Sequence, residues 1–173
     1  MSLDRLWAGW RSAYVETVAN KPPVGRNGCV LCRLADSSDD EGLVLERGES
    51  TFAVMNAYPY TSGHLMVAPV RHVGEIDELT SGDSTGFGEL MELAAMVQRA
   101  VRAMRAAYAP DGMNVGVNLG RAGGAGVPGH VHVHVLARWN GDTNFMTSVG
   151  EVRVLPEDLE HSYQKLLDAW PAR

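Results

Sequence analysis

Cysteine is almost absent from this chain, with two residues in 173, Cys29 and Cys32. Two thiols three positions apart suit a metal better than a structural disulfide, which excludes a disulfide-stapled secreted scaffold. No apolar run is long enough to cross a bilayer, and Asp4 and Arg5 stand where a signal peptide would show another pattern. The expectation is a soluble, cytoplasmic protein without membrane contact. Positive charge is also short: 15 Lys and Arg face 21 Asp and Glu, a formal net charge of −6. General nucleic-acid binding needs a basic face, so it is not expected, and any anionic ligand must be held by a local cluster. Internal repeats and long low-complexity segments are lacking as well. What remains is a chain that is 45% hydrophobic and large enough for one sizeable core, hence a single domain over 1–173.

Leu3, Leu6, Trp7, Trp10 and Tyr14 fall at helical spacing and predict an N-terminal amphipathic helix that stops before Pro22 and Pro23. The acidic stretch 36–42 reads as a solvated linker. Short runs rich in β-branched or aromatic residues predict strands at Leu43–Glu46, Thr51–Asn56, His64–Pro69, Met113–Asn118 and His130–Arg138. A long helix is predicted from Ser84 to Tyr108, burying Phe87, Leu90, Met91, Ala94, Val97, Val101 and Met104, with Pro110, Asp111 and Gly112 closing it. A last helix opens with Pro156 and turns Leu159, Tyr163, Leu166 and Trp170 inward, leaving His161 on the surface. The fold class is therefore α+β, a five-stranded, mainly antiparallel sheet with the long helix packed on it.

Chemistry concentrates at His130, His132 and His134, which alternate with Val131, Val133 and Val135. A strand's period of two puts the three imidazoles on one face and the valines on the other. Imidazole titrates near neutrality and serves as nucleophile, acid, base or metal ligand, and its nitrogens need partners when buried. At about 3.3 Å per residue the first and third rings are rooted roughly 13 Å apart, too far to share one zinc with nitrogens about 2.0–2.1 Å away. One histidine can serve a metal while the other two do chemistry. Ahead of them, Gly120, Gly123, Gly124, Gly126 and Gly129 leave backbone N–H groups open to an anion, flanked by Arg121 and Arg138. That composition suits a phosphate cradle and equally a flexible hairpin loop.

The run His130 to Leu136 matches in full the signature His-φ-His-φ-His-φ-φ, where φ is apolar, and resembles the histidine triad (HIT) family. Phe52 to Asn56, Gly63 to Pro69 and Arg71-His72-Val73 are similar to that family's first nucleotide-binding strands. Asn114 to Gly120 and Arg138 to Phe145 resemble the zinc-containing bacterial branch related to diadenosine polyphosphate phosphorylases and hydrolases. The resemblance implies nucleotidyl transfer: His132 attacks the α-phosphorus and a covalent nucleotidyl-histidine forms, which divides one hard displacement into two easier ones. It assigns phosphate contact and charge stabilisation to His134 and places His64 near the same phosphates. Asn56 falls to the ribose hydroxyls, Asn118 to phosphate or the reacting oxygen, and Gly126 to the phosphate loop. It also completes Cys29 and Cys32 with His72 and His130 as a closed set for a structural zinc. On that reading 1–35 holds the N-terminal helix and zinc knuckle, 43–145 the catalytic core and 156–170 the C-terminal helix. Pairing of two such domains into a homodimer is the family habit, with Trp7, Trp10, Trp139 and Phe145 as candidates for that contact or for an adenine pocket.

One departure stands out. Many family members carry a hydroxyl residue just before the triad, whereas this chain reads Ala125-Gly126-Val127-Pro128-Gly129. Leaving-group activation then falls to backbone amides, to His134 or to another side chain, and water and inorganic phosphate stay open as second acceptor. Three functions follow: cleavage of diadenosine polyphosphates, hydrolysis of nucleoside phosphoramidates, or nucleotide binding without turnover. An intact His132 disfavours the third.

Overall fold

The computed structural model describes residues 24–79, 86–142 and 157–172. The predicted N-terminal helix, Phe145, and the starts assigned to the two later helices at Ser84 and Pro156 lie outside them. A 3-10 turn at Arg26–Gly28 leads into α1 (Val30–Asp36) and the one-turn α2 (Asp39–Gly42). Strands β1 (Val44–Arg47), β2 (Thr51–Met55) and β3 (Leu65–Pro69) follow, then α3 (Gly86–Tyr108), β4 (Gly112–Val117), β5 (Val133–Arg138) and α4 (Leu159–Asp168). The strands form one antiparallel sheet in the order β1-β2-β3-β5-β4. No described helix is long and apolar enough to cross a membrane.

Alternation along the strands divides the core between the two faces of the sheet. Ala53, Met55, Leu65, Val67, Val131, Val133, Val135 and Ala137 pack with α3 and α4 on one side. Val44, Phe52, Val54 and Ala68 pack with Leu31, Cys29 and Cys32 on the other. The triad valines thus face α3, and the sheet's opposite side is covered by the N-terminal knuckle.

Four expectations need correction. The buried stripe of α3 is Leu93, Met96, Ala100, Ala103 and Met104, with Leu90, Val97 and Val101 at its margins, while Met91 (55% exposed) and Ala94 face outward. The helix offers two overlapping apolar stripes, and the one holding alanines admits close approach to the sheet. Burying each large side chain there is worth about 1.5–3 kcal/mol. The helix is closed by Ala109, in the left-handed region at φ 42 with its N–H on the Arg105 carbonyl, and Gly112 already belongs to β4 opposite Arg138. Residues 36–42 are not a solvated linker. They end α1 and form α2, and Arg47 ties them down through Asp39 and the carbonyls of Leu34, Ala35 and Ser37. Finally, β5 begins at Val133, because β4 ends opposite it at Val117 and residues 130–132 take other partners.

Candidate active site and metal centre

The turn between β2 and β3 presents the first histidine. Gly63 takes φ +73, and a Cβ there would lie 2.5 Å from the Tyr108 ring, so only glycine permits the chain to enter β3 at this angle. His64 follows, buried, with its carbonyl accepting from the Asn56 N–H at 2.9 Å. The Tyr60 N–H donates to His64 Nδ1 at 3.1 Å, and the Asn56 side-chain amide lies against the ring, 3.2 Å from Nδ1 and 3.4 Å from Nε2. A nitrogen that accepts backbone N–H bears no proton, so the neutral ring carries its hydrogen on Nε2. That Nε2 lies 2.9 Å from His134 Nδ1 and donates to it, which leaves the His134 hydrogen on its own Nε2. Burial, and then the neighbouring His132, push His134 down to about 4, so it is neutral at cellular pH.

His132 is fixed differently. Its Nδ1 lies 2.8 Å from the His130 carbonyl oxygen, which can only accept, so Nδ1 holds the hydrogen and Nε2 holds a lone pair. Among the described residues Nε2 has no hydrogen-bond partner. Burial pushes the pKa of His132 down, favouring the unprotonated ring. The His132 and His134 rings stand 4.8 Å apart, edge to face, and His134 stands 5.1 Å from His64. Among the described residues one lone pair and one N–H therefore stand uncommitted on neighbouring rings, a pair suited to attack at a phosphorus and hydrogen bonding to its oxygens.

His130 belongs to a second centre. Its Nδ1 lies 3.4 Å from both Cys29 Sγ and Cys32 Sγ, and Cys32 Sγ lies 3.3 Å from His72 Nδ1. All four ligating atoms sit within 4.8 Å of one another. Bonds of about 2.3 Å to sulfur and 2.0–2.1 Å to nitrogen give a tetrahedral edge of about 3.6 Å, so the set fits a zinc ion. His130 Nε2 donates to the Pro69 carbonyl at 2.8 Å, which turns the Nδ1 lone pair toward the sulfurs. Burial, and after it the neighbouring Cys29, raise Cys32 to about 11, an unfavourable setting for a thiolate that a divalent cation reverses. Arg26 braces this knuckle, bidentate to Asp36 and donating to the Val70 carbonyl.

The remaining expected residues are placed as follows. Asn118 directly follows β4, one position beyond the pair Val117 and Val133, at the end of the sheet where His132 lies. Gly126 is exposed, and a Cβ there would meet nothing within 4 Å, so the chain's own packing does not demand glycine. Asn56 already uses its amide within the chain, accepting from the Tyr58 N–H at 2.9 Å and donating to His64. Among the described residues Arg121 Nη1, in the glycine-rich segment, is buried without a partner. Arg138 is committed to Asp142 and Asn114 at the outer end of β5. Sequence reasoning missed Tyr60, whose half-exposed ring lies 4.7 Å from His64 and 6.0 Å from His134. Its contribution is a main-chain N–H and a ring lying over a loop, for which no periodicity gives a signal.

Known proteins resemble this chain in sequence and fold. The HIT domain matches residues 38–141. The AP-4-A phosphorylase of Mycobacterium tuberculosis (strain ATCC 25618 / H37Rv) is 39% identical over 171 residues, covering 97% of this chain and 85% of the relative. Among solved structures, a Zn-bound histidine triad family protein from Mycobacterium smegmatis superposes with a TM-score of 0.63 at 30% identity, covering 84% of this chain and 94% of that one. A hypothetical histidine triad nucleotide-binding protein from Sulfolobus tokodaii has a TM-score of 0.60 at 25% identity, with coverages of 82% and 88%. By sequence match, by fold and by the three alternating histidines, this chain belongs to the histidine triad family.

Proposed function

We propose that the protein cleaves diadenosine polyphosphates, such as diadenosine tetraphosphate, through a covalent nucleotidyl-histidine at His132. The observation that carries this reading is the 2.8 Å hydrogen bond from His132 Nδ1 to the His130 carbonyl, which leaves Nε2 as a free lone pair. Nε2 attacks the α-phosphorus, the bond to the bridging oxygen breaks, and the departing nucleotide leaves with the electron pair. His134 Nε2–H hydrogen-bonds the phosphoryl oxygen where charge gathers, and in a chain with no hydroxyl before the triad backbone amides, His134 or another side chain serve the leaving oxygen. In the second half the acceptor oxygen attacks the same phosphorus and the N–P bond breaks, returning His132. Asn118, Gly126 and the unpartnered Arg121 Nη1 bind phosphate, and Asn56 has one amide hydrogen and one lone pair left for a ribose hydroxyl. Similarity to a phosphorylase favours inorganic phosphate as that acceptor.

A zinc ion held by Cys29, Cys32, His72 and His130 supplies charge neutralisation to two buried thiolates and pins the knuckle to the triad strand. Thiols that serve as metal ligands rather than as a disulfide support a cytoplasmic location. Incubation with a panel of dinucleotides and nucleoside phosphoramidates, with and without phosphate, tests the reading. ADP together with ATP from diadenosine tetraphosphate marks phosphorolysis, AMP with ATP marks hydrolysis, and cleavage of phosphoramidates alone would transfer the assignment to that class.

The depressed value of His134 predicts an acid-tolerant enzyme. Its ring stays neutral as pH falls from the ordinary 6.5 to about 4, and burial also lowers His132, whose attacking lone pair protonation would remove, so the acid limb of kcat/KM should lie below 6.5. In the unfolded chain the ring takes up its proton near 6.5, so over the same window acid draws the equilibrium toward unfolding. Circular dichroism at each pH separates the two losses, and an acid limb centred near 6.5 in folded protein would contradict the assignment.

Among the described residues strand β4 is an uncovered edge of the sheet, and its Val115 is 48% exposed. Exposed edges of this kind invite another strand, and a second copy laid along β4 would cover it, giving a homodimer. Light scattering should return twice the 18.7 kDa chain mass, reduced toward one chain by Val115→Arg. A monomer at micromolar concentration would refute the pairing.

A further inference from the structure

We propose that the metal centre positions the nucleophile: Cys29, Cys32 and His72 fix the proton on His132 by holding His130, whose ring faces the metal set and whose carbonyl faces His132. The regular ladder does not reach this point. Strand β5 pairs with β3 and β4 only from Val133 onward, so the three residues 130–132 lack the partners that hold the rest of the strand. Three other restraints replace them. The His130 N–H turns back to the Val127 carbonyl at 3.1 Å, the His130 ring sits between the two sulfurs and the Pro69 carbonyl, and the Val131 N–H donates to the Val73 carbonyl at 2.7 Å. Val73 is the residue after His72, so two of those three restraints lead straight back to metal-ligating side chains.

The consequence is local and geometric. Among the described residues the peptide group after His130 supplies the one acceptor holding His132 Nδ1, and a rotation of that peptide moves the oxygen out of the 2.8 Å bond. Without it, the two neutral tautomers of His132 become close in energy, and a ring bearing its hydrogen on Nε2 has no lone pair directed at the substrate. His64 and His134 are insulated from this effect, since their order comes from the Tyr60 N–H and Asn56 on the β2–β3 turn. Cys29, Cys32 and His72 are thus positioning residues for His132, beyond whatever stability they confer. The inference rests on His132 being the nucleophile, but its readout does not require turnover.

Two-bond proton–nitrogen correlation NMR of the full chain, without substrate, tests it. In the zinc-loaded protein His132 should show a single Nδ1–H tautomer. After chelation, in protein whose amide spectrum stays dispersed, His132 should show a tautomer mixture while His64 and His134 keep theirs, and kcat should fall roughly tenfold or more with KM changed by less than about twofold. If chelation unfolds the chain, replacing zinc with the larger cadmium ion decides the matter: the His132 nitrogen resonances should move and those of His134 should not. A His132 tautomer indifferent to both treatments would overturn the coupling even if the enzyme turns over nucleotides as proposed. A protein inactive on every nucleotide would overturn the proposed function while leaving the coupling readable.

Discussion

Replacing His132 with glutamine is expected to lower kcat for dinucleotide cleavage on the order of 10⁴-fold or more, with the folded structure retained. Glutamine is close in volume to histidine, and its amide nitrogen falls near the imidazole Nε2, one atom beyond Nδ1, so the space stays filled although the Nδ1–H bond to the His130 carbonyl is given up. What is lost is the nitrogen lone pair. An amide nitrogen does not attack phosphorus, and the other groups at the site only bind and polarise, so the remaining rate is that of a positioned substrate without its nucleophile. Equilibrium binding of a non-cleavable nucleotide should change little in the same variant, which separates loss of chemistry from loss of the site. Full turnover in His132→Gln, measured by product chromatography, would remove the proposed mechanism.

Cys32→Ser carries the largest expected effect on stability. Cys32 is buried and approaches both ring nitrogens of the metal set, at 3.3 Å from His72 and 3.4 Å from His130. Structural zinc in small sites contributes about 10–16 kcal/mol of apparent binding energy, so losing one of four ligands costs about 2.5–4 kcal/mol, equivalent to about 5–16 °C in Tm at this chain length. The variant should also purify with markedly less than one zinc per chain, and excess chelator should lower the Tm of the parent protein but hardly that of the variant. Calorimetry with metal analysis checks both. A wild-type protein that binds no metal, or a variant as stable as its parent, would contradict the fit of Cys29, Cys32, His72 and His130 to a structural zinc.

The strands and the facing of the triad were legible in the sequence for a physical reason. Alternation in His130 to Val135 states its own geometry, because a period of two dictates faces and a rise of about 3.3 Å dictates reach. The valines indeed pack against α3, while His130 sits among the cysteines and His72, and His134 meets both His132 and His64. The buried face of α3 was not legible, since Leu90, Met91, Ala94 and Val97 and Leu93, Met96, Ala100 and Ala103 are both helical stripes, and only the fit to the sheet selects the second. Hydrogen bonds to the main chain were out of reach too. The proton positions of His64, His130 and His132 depend on the Tyr60 N–H and the carbonyls of Pro69 and His130, groups that every sequence contains and none advertises. Arg47 likewise turns an acidic stretch that reads as linker into anchored structure through three carbonyls. Side-chain chemistry announces a site, and the backbone decides which nitrogen of each ring is available.

The central claim is that His132 presents an unprotonated Nε2 to phosphorus. It is tested most directly by mixing the protein with diadenosine tetraphosphate, quenching in base before one turnover is complete, and mapping the covalent nucleotide by peptide mass spectrometry. The account predicts one adenylyl group on the peptide containing His132, bonded to Nε2 and absent from His132→Gln. Rapid cleavage with no adduct at any time point, or an adduct on His64, His134 or a residue outside the triad, would contradict it.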